Sequence, residues 1–358
     1  MQKPHAFVTL DALRGIAAIA VMAFHFRRAL GSNPFPEGYL AVDFFFMLSG
    51  FVLTYAYQER LDENWATWSF FKTRIARLYP LYLLGLVLGL VYRLMQIGTP
   101  DGFSGRATAI SFLLGLLILP GVHLADGMFP LNAPAWSLFF EYAANVLHAL
   151  GLRRRSVKFL CATVVLAMVT LIVWVHHVGS VDTGARSMEV FSFPRVLLSY
   201  TAGMLLFRLW KSGGLRLPGS PLLACVALLA VMAIPVARRF HPPYELCAII
   251  IAFPCILLMG ASDRQPRFLG ESFQLLGEAS YAIYVLHFPV YQLYGQLWER
   301  VRRHPMEHNA PWSGLICMAL TVVLAVLLDR TYDRFGRKFL REILLRSRAA
   351  GQCVDSRV

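Results

Sequence analysis

Leu10-Asp11-Ala12-Leu13-Arg14-Gly15-Ile16-Ala17-Ala18-Ile19-Ala20-Val21-Met22-Ala23-Phe24-His25-Phe26 is apolar enough to cross a membrane, yet it carries an aspartate, an arginine and a histidine. Arg14 and His25 are eleven residues apart. At about 100° per residue that offset falls some 20° past three full turns, so both side chains share one face, about 16 Å apart along the axis. Hydrocarbon penalises both groups, so that face must look into protein or water. It is the core of a polar channel. Asp11 stands three residues before Arg14, the spacing of an i,i+3 partner able to orient the guanidinium.

Composition places this helix among others like it. Of 358 residues, 57% are hydrophobic and 15% charged, against about 25% charged in soluble domains. The chain therefore reads as an all-α polytopic membrane protein. Apolar runs long enough to span lie at about 7–27, 39–58, 78–97, 132–150, 157–179, 194–210, 221–237, 243–261, 278–298 and 312–331, predicting about ten transmembrane helices. A shorter run near 107–120 ends at Pro120-Gly121 and reads as a re-entrant or interfacial segment. The first run lacks a small-residue cleavage site behind it, so the reading retains it as a membrane helix. Residues 1–340 read as one integral-membrane domain and 341–358 as a basic cytoplasmic tail.

The net charge of +13 fits loops facing anionic headgroups and sites for anionic ligands, not nucleic acid. With ten spans and the N-terminus inside, inner loops and the tail collect about 20 Lys and Arg and outer loops about 11, which puts both termini in the cytoplasm. Cys161, Cys225, Cys247, Cys255, Cys317 and Cys353 are scattered without a CxxC pair. They read as reduced packing residues, and no metal is expected.

Further polar residues punctuate the apolar runs. Asp43 sits in Val42-Asp43-Phe44-Phe45-Phe46-Met47-Leu48-Ser49-Gly50-Phe51, where a structural arginine partner and a functional acid are equally compatible. Phe70-Phe71-Lys72-Thr73-Arg74-Ile75-Ala76-Arg77-Leu78-Tyr79-Pro80 reads as a loop and short helix entering the third span. Arg74 and Arg77 on one side of it suit phosphate through bidentate forks, although positive-inside placement alone would also put basic residues there. In Pro134-Ala135-Trp136-Ser137-Leu138-Phe139-Phe140-Glu141-Tyr142, Ser137 and Glu141 share a helical face. Glu141 needs a partner or water, and Ser137, with no adjacent base, reads as a positioning hydroxyl. Tyr284 and His287 form an i,i+3 stripe in Leu276-Gly277-Glu278-Ala279-Ser280-Tyr281-Ala282-Ile283-Tyr284-Val285-Leu286-His287. His25 is the first choice of general base near neutral pH and His287 the second.

Six stretches together resemble the membrane-bound acyltransferase 3 family in order: LDALRGIAAIAVMAFHF, VDFFFMLSGFVL, FFKTRIARLYPLY, PAWSLFFE, PRVLLSYTAGMLL and LGEASYAIYVLHFPV. The resemblance covers residues 8–340. It implies a multi-pass O-acyltransferase of a bacterial-type inner membrane. Such an enzyme takes an acyl group, usually acetyl, from cytoplasmic acyl-CoA to a hydroxyl of an extracytoplasmic or lipid-linked carbohydrate. The donor is a substrate, with no tightly bound cofactor. In the family the Arg-x10-His pair is the signature, matched by Arg14 and His25. The Arg-x-x-Arg pair is matched by Arg74 and Arg77, and the Trp-Ser-Leu-x-x-Glu element by Trp136, Ser137, Leu138 and Glu141. The resemblance thus assigns His25, Glu141 and Ser137 to catalysis and Arg14, Arg74 and Arg77 to acyl-CoA, with Asp11, Asp43, Trp136, Tyr284 and His287 behind them. Two departures stand out. Ala144-Asn145 replaces a Phe-Tyr pair, and Asp333-Arg334 stands where a Glu-Pro pair often follows the last span. The soluble esterase-like domain fused to longer members is not expected here, leaving delivery to the acceptor direct or through a separate glycan-assembly partner. The rival reading is a transporter or flippase of a glycan or small anion. Neither two matching halves nor paired broken helices support it.

Overall fold

The structure, a computed structural model, describes residues 7–62, 67–99, 104–121, 127–182, 192–261 and 270–346. Among these, all regular structure is helical. The helices are α1 (Val8–His25), α2 (Ala41–Asp62), α3 (Thr67–Met95), α4 (Gly105–Leu116), α5 (Ala135–Leu150), α6 (Val157–Val178), α7 (Ser192–Lys211) and α8 (Pro221–Ala233). After them, α9 (His241–Cys247) continues through a π turn into α10 (Phe253–Gly260). Next come α11 (Gly270–Arg302) and α12 (Trp312–Leu328), and a second π turn over Asp329–Asp333 leads into α13 (Arg334–Arg346).

Local chemistry sets several of these boundaries. Ser104, Ser156 and Ser220 each accept a hydrogen bond from the backbone N–H three residues on, capping α4, α6 and α8. Gly179 ends α6 at φ 91°, a conformation that costs glycine nothing. Two helices tolerate an interior proline, Pro80 in α3 and Pro289 in α11. Pro289 has no N–H to offer the carbonyl of Val285 four residues back. Asn132 Nδ2 supplies the missing donor at 3.0 Å.

Six stretches are long and apolar enough to cross a membrane: Val8–His25, Gly38–Tyr57, Thr67–Met95, Val157–Val178, Arg238–Gly260 and Trp312–Leu345. The expected ten are not reached on that measure. Each remaining predicted run does fall on a helix, and the shortfall has two causes. The 16 residues of α5 and 13 of α8 rise only about 24 and 20 Å, less than the roughly 30 Å of hydrocarbon. Helices α7 and α11, at 20 and 33 residues, are long enough but polar. The run near 107–120 forms the 12-residue α4, also too short to span. Of the proposed tail, residues 341–346 continue α13, which packs on α3 where Gly336 meets Pro80; 347–358 lie outside the described residues.

Burial sorts the helices. Most residues of the Gly38–Tyr57 span are buried, against four of 22 in Val157–Val178, so α2 is central and α6 peripheral, its Val165, Leu166, Val169 and Val173 turned outward. The first helix packs chiefly on α11. A Cβ on Gly15 would lie 2.3 Å from Leu276 Cγ, and one on Gly277 2.4 Å from Asp11 Cβ. Small residues on both faces thus let the two backbones approach closely, the usual device of membrane helix pairs. Asp11 lies beside Gly277, Arg14 beside Ser280 and His25 beside His287. The near-constant offset means α1 and α11 run parallel.

Candidate active site

A cavity of about 410 Å³ opens between α1, α2, α3, α5 and α11, within the range of small-molecule sites. Arg14, Arg74, Arg77, Ser137, Glu141 and Tyr284 all line it. At one end stand Arg77, Glu278, Asp329, Arg334 and Arg337; toward the other the walls are Phe45, Ser137 and Tyr284.

The arginines differ in what holds them. Arg14 Nε donates to Ser280 Oγ at 2.8 Å and Nη2 to Gly277 O at 2.6 Å, while Asp11 Oδ1 lies 3.0 Å from Nη2. This guanidinium therefore stitches α1 to α11 as well as facing the cavity. Arg74, buried, is ion-paired with Glu141 Oε1 at 2.6 Å, and Ser49 Oγ donates to the same oxygen at 3.4 Å. Arg77 is exposed into the cavity. Both sit within the continuous helix α3, not in a loop before it. Arg337 pairs with Asp333 and, at 3.4 Å, with Asp329. The carboxylate at the Asp333 departure is thus buried and bonded to a cavity-mouth arginine.

Beyond Tyr284 the polar face continues. The His25 and His287 rings lie 5.1 Å apart, centroid to centroid, tilted by 31°. His287 Nδ1 is 2.7 Å from Tyr284 O and 3.2 Å from Ile283 O. A carbonyl only accepts, so Nδ1 carries the proton and Nε2 holds the lone pair. That Nε2 is buried without a hydrogen-bond partner. Neither histidine lines the cavity. Tyr284 meets Phe45 edge to face at 5.4 Å, and together they wall the cavity on the histidine side. Ser137 and Tyr284 share a hydrogen bond of 2.6 Å, with Ser137 also donating to Pro134 O at 3.0 Å.

The remaining candidates fall elsewhere. Asp43, fully buried, is held by Arg195 in a two-pronged pair, Nε to Oδ1 at 2.8 Å and Nη2 to Oδ2 at 2.5 Å. Arg195 belongs to α7 and is buried. Its guanidinium lies 5.8 Å from the centre of the Trp136 ring, which explains the place of Trp136 outside the cavity. Glu141 is brought to Arg74 rather than to either histidine. Arg334 and Arg337 at the mouth were not singled out as site residues from the sequence. Their spacing of three was the available signal.

The acyltransferase domain family Acyl_transf_3 matches residues 7–330. "Acyltransferase MdmB" of Streptomyces mycarofaciens is 26% identical over 89% of this chain and 87% of its own. "Exopolysaccharide production protein ExoZ" of Rhizobium meliloti is 27% identical over 74% of this chain and 80% of its own. "Protein 2 in picA locus" of Rhizobium radiobacter is 38% identical over 48% of this chain and 95% of its own. No solved structure matches. A match across nearly the whole chain, on a multi-pass helical frame, makes this protein a member of the acyltransferase 3 family.

Proposed function

We propose that the protein transfers an acyl group, acetyl in the simplest case, from acyl-CoA to a hydroxyl of a polysaccharide or lipid-linked sugar across a bacterial-type inner membrane. One observation carries the reading: an arginine-lined cavity runs along α1 and α11 to a wall of Phe45 and Tyr284, and two histidines pack together beyond that wall on the same two helices. Acyl-CoA is anionic at one end and bears its thioester on a long arm. Arg77 and Arg334 are the groups suited to its phosphates, because both are exposed, whereas Arg74 is ion-paired with Glu141 and Arg337 with Asp333 and Asp329. The arm then runs past Arg14 toward Tyr284. The names of the relatives, among them an exopolysaccharide production protein, support a carbohydrate acceptor.

Beyond the Phe45–Tyr284 wall, which has to yield for the thioester to reach it, His25 takes the proton of the acceptor hydroxyl as that oxygen attacks the thioester carbonyl carbon. The carbon–sulfur bond breaks, and the proton returns to the departing sulfur as free CoA thiol. His287 Nε2, unpartnered and beside His25, is placed to accept or share that proton, which raises His287 to a full member of the site. Transient acylation of His25 is the variant route. Arg74, Glu141 and Ser137 then act as positioning residues that hold α2, α3, α5 and α11 around the cavity. The orientation that fits has both termini cytoplasmic, ten helical crossings counting the short and polar ones, and the arginine mouth on the donor side.

The test uses purified protein in liposomes loaded with a polysaccharide acceptor, with acyl-CoA outside. Thiol release that depends on acceptor supports the reading; acceptor movement without thiol release would establish a transporter instead. Mass spectrometry of surface glycans from a deletion strain identifies the acceptor.

A further inference from the structure

A second polar cluster lies at the same end of the bundle as His25, outside the cavity. Tyr39 packs on Phe24 of α1, 5.6 Å between ring centres. Its hydroxyl oxygen is 2.6 Å from Glu37 Oε2 and 2.5 Å from Glu245 Oε1. Ser180 Oγ donates to Glu245 Oε1 at 2.5 Å, and Val181 N to Glu245 Oε2 at 2.8 Å. Both glutamates are 0% exposed. His241 Nε2 lies 3.6 Å from Glu37 Oε1.

The hydrogen count of this cluster does not close. Four short contacts reach carboxylate oxygens, while Tyr39, Ser180 and Val181 bring three protons. One oxygen–oxygen contact is thus left without a proton. In addition, Glu37 Oε1 is buried, points at the cluster and has no hydrogen-bond partner. The guanidinium of Arg195, which neighbours Glu245, is committed to Asp43. Two buried carboxylates with an unclosed count and an orphan oxygen need one more positive centre.

We propose that Glu37, Glu245 and His241 bind a divalent transition-metal ion of the zinc class. One carboxylate oxygen from each glutamate and a ring nitrogen of His241 lie within 4.8 Å of one another. Zinc at about 2.0–2.1 Å from each ligand would hold them roughly 3.4 Å apart in a tetrahedron, a contraction of up to about 1.4 Å from the 4.8 Å within which they lie. Two carboxylates and an imidazole form a hard-to-borderline set that suits zinc or manganese better than calcium. In the structure His241 Nε2 is 2.8 Å from Val236 O and donates to it. On binding, the ring proton moves to Nδ1, and Nε2 turns from Val236 toward the ion. The Tyr39 hydroxyl then needs to donate to only one carboxylate. The ion ties the turn before α2 to α9 and to the segment after α6, bracing the end of the bundle that holds the histidine pair. This site is independent of the acyl-transfer reading.

The whole protein is purified into nanodiscs, stripped with EDTA and dialysed against micromolar Zn²⁺; bound metal is measured by emission spectroscopy and stability by Tm. The expected result is about one zinc per chain with a higher Tm. Glu37→Gln should weaken binding by about tenfold or more, whereas Glu271→Gln, exposed at the start of α11, should bind as the wild type does. A wild-type chain that takes up no zinc overturns the proposal, however the variants fold, and leaves a carboxyl proton as the missing charge. Zinc held equally well by Glu37→Gln overturns it too.

Discussion

His287 Nδ1 donates to the backbone carbonyl of Tyr284 at 2.7 Å, and this bond leaves the opposite nitrogen without a hydrogen-bond partner in a ring centred 5.1 Å from that of His25. A backbone carbonyl thus sets the tautomer of one histidine in a pair, as partners of the second nitrogen do in catalytic and metal-bound histidines. The arrangement makes the two residues unequal. His25 sits on the signature helix, and His287 has the defined lone pair.

His25→Ala and His287→Ala should each lower acceptor-dependent thiol release by roughly 10²–10⁴-fold, the range of a lost general base. The double variant should lose little more than the worse single one, because residues acting as a unit are not additive. Multiplicative losses measured in liposomes would separate the two histidines into independent roles.

Arg74→Ala strands Glu141, and by analogy with broken buried pairs should cost about 3 kcal/mol of stability. Adding Glu141→Ala should recover part of it, since the uncompensated charge goes with it. Arg77→Ala should leave Tm nearly unchanged and raise the Michaelis constant for acyl-CoA. A Tm series and initial-rate kinetics on the same preparations distinguish the wall arginine from the ligand arginine. An unchanged Michaelis constant in Arg77→Ala removes it from the phosphate site.

Gly15→Ala would push a methyl into Leu276, and Gly277→Ala one into Asp11. Each should destabilise by about 1–3 kcal/mol as overpacking and shift Arg14 relative to Ser280. The check is a Tm loss accompanied by a fall in thiol release measured well below the new Tm. Wild-type values for both would mean the helices have room to spare.

Asp43→Ala leaves Arg195 charged and buried beside Trp136, so a loss of about 3–5 kcal/mol follows. Arg195→Lys should not rescue the fold, because a single ammonium cannot replace the two-pronged contact. Comparing the Tm of both variants with the double Asp43→Ala/Arg195→Met chain tests whether the cost lies in the stranded charge.

Helix positions were legible because apolar runs and prolines are local properties of sequence. Every predicted run falls on a helix. Span number was less legible: α7 and α11 carry polar faces that turn inward, and a window average cannot distinguish an inward arginine from a loop. Arg195 shows the cost, since it makes α7 more polar on average while the fold buries it against Asp43. Periodicity put Arg14 and His25 on one face but could not name what faced them. Glu141 found Arg74, 67 residues away, rather than a histidine. The Glu37, His241 and Glu245 cluster went unseen because Glu37 lies far along the chain from the other two, and His241 and Glu245, four apart on α9, point to no partner by themselves.

The parallel pairing of α1 with α11 has a consequence for biosynthesis. The hydroxyl that receives Arg14 belongs to a residue 266 positions later in the chain. The first helix enters the bilayer with its arginine and histidine while most of the protein is still unmade. Until Ser280 and His287 are translated, those two polar groups need interim hosts, whether water, headgroups or the insertion machinery. The working site is therefore among the last parts of the molecule to come into existence.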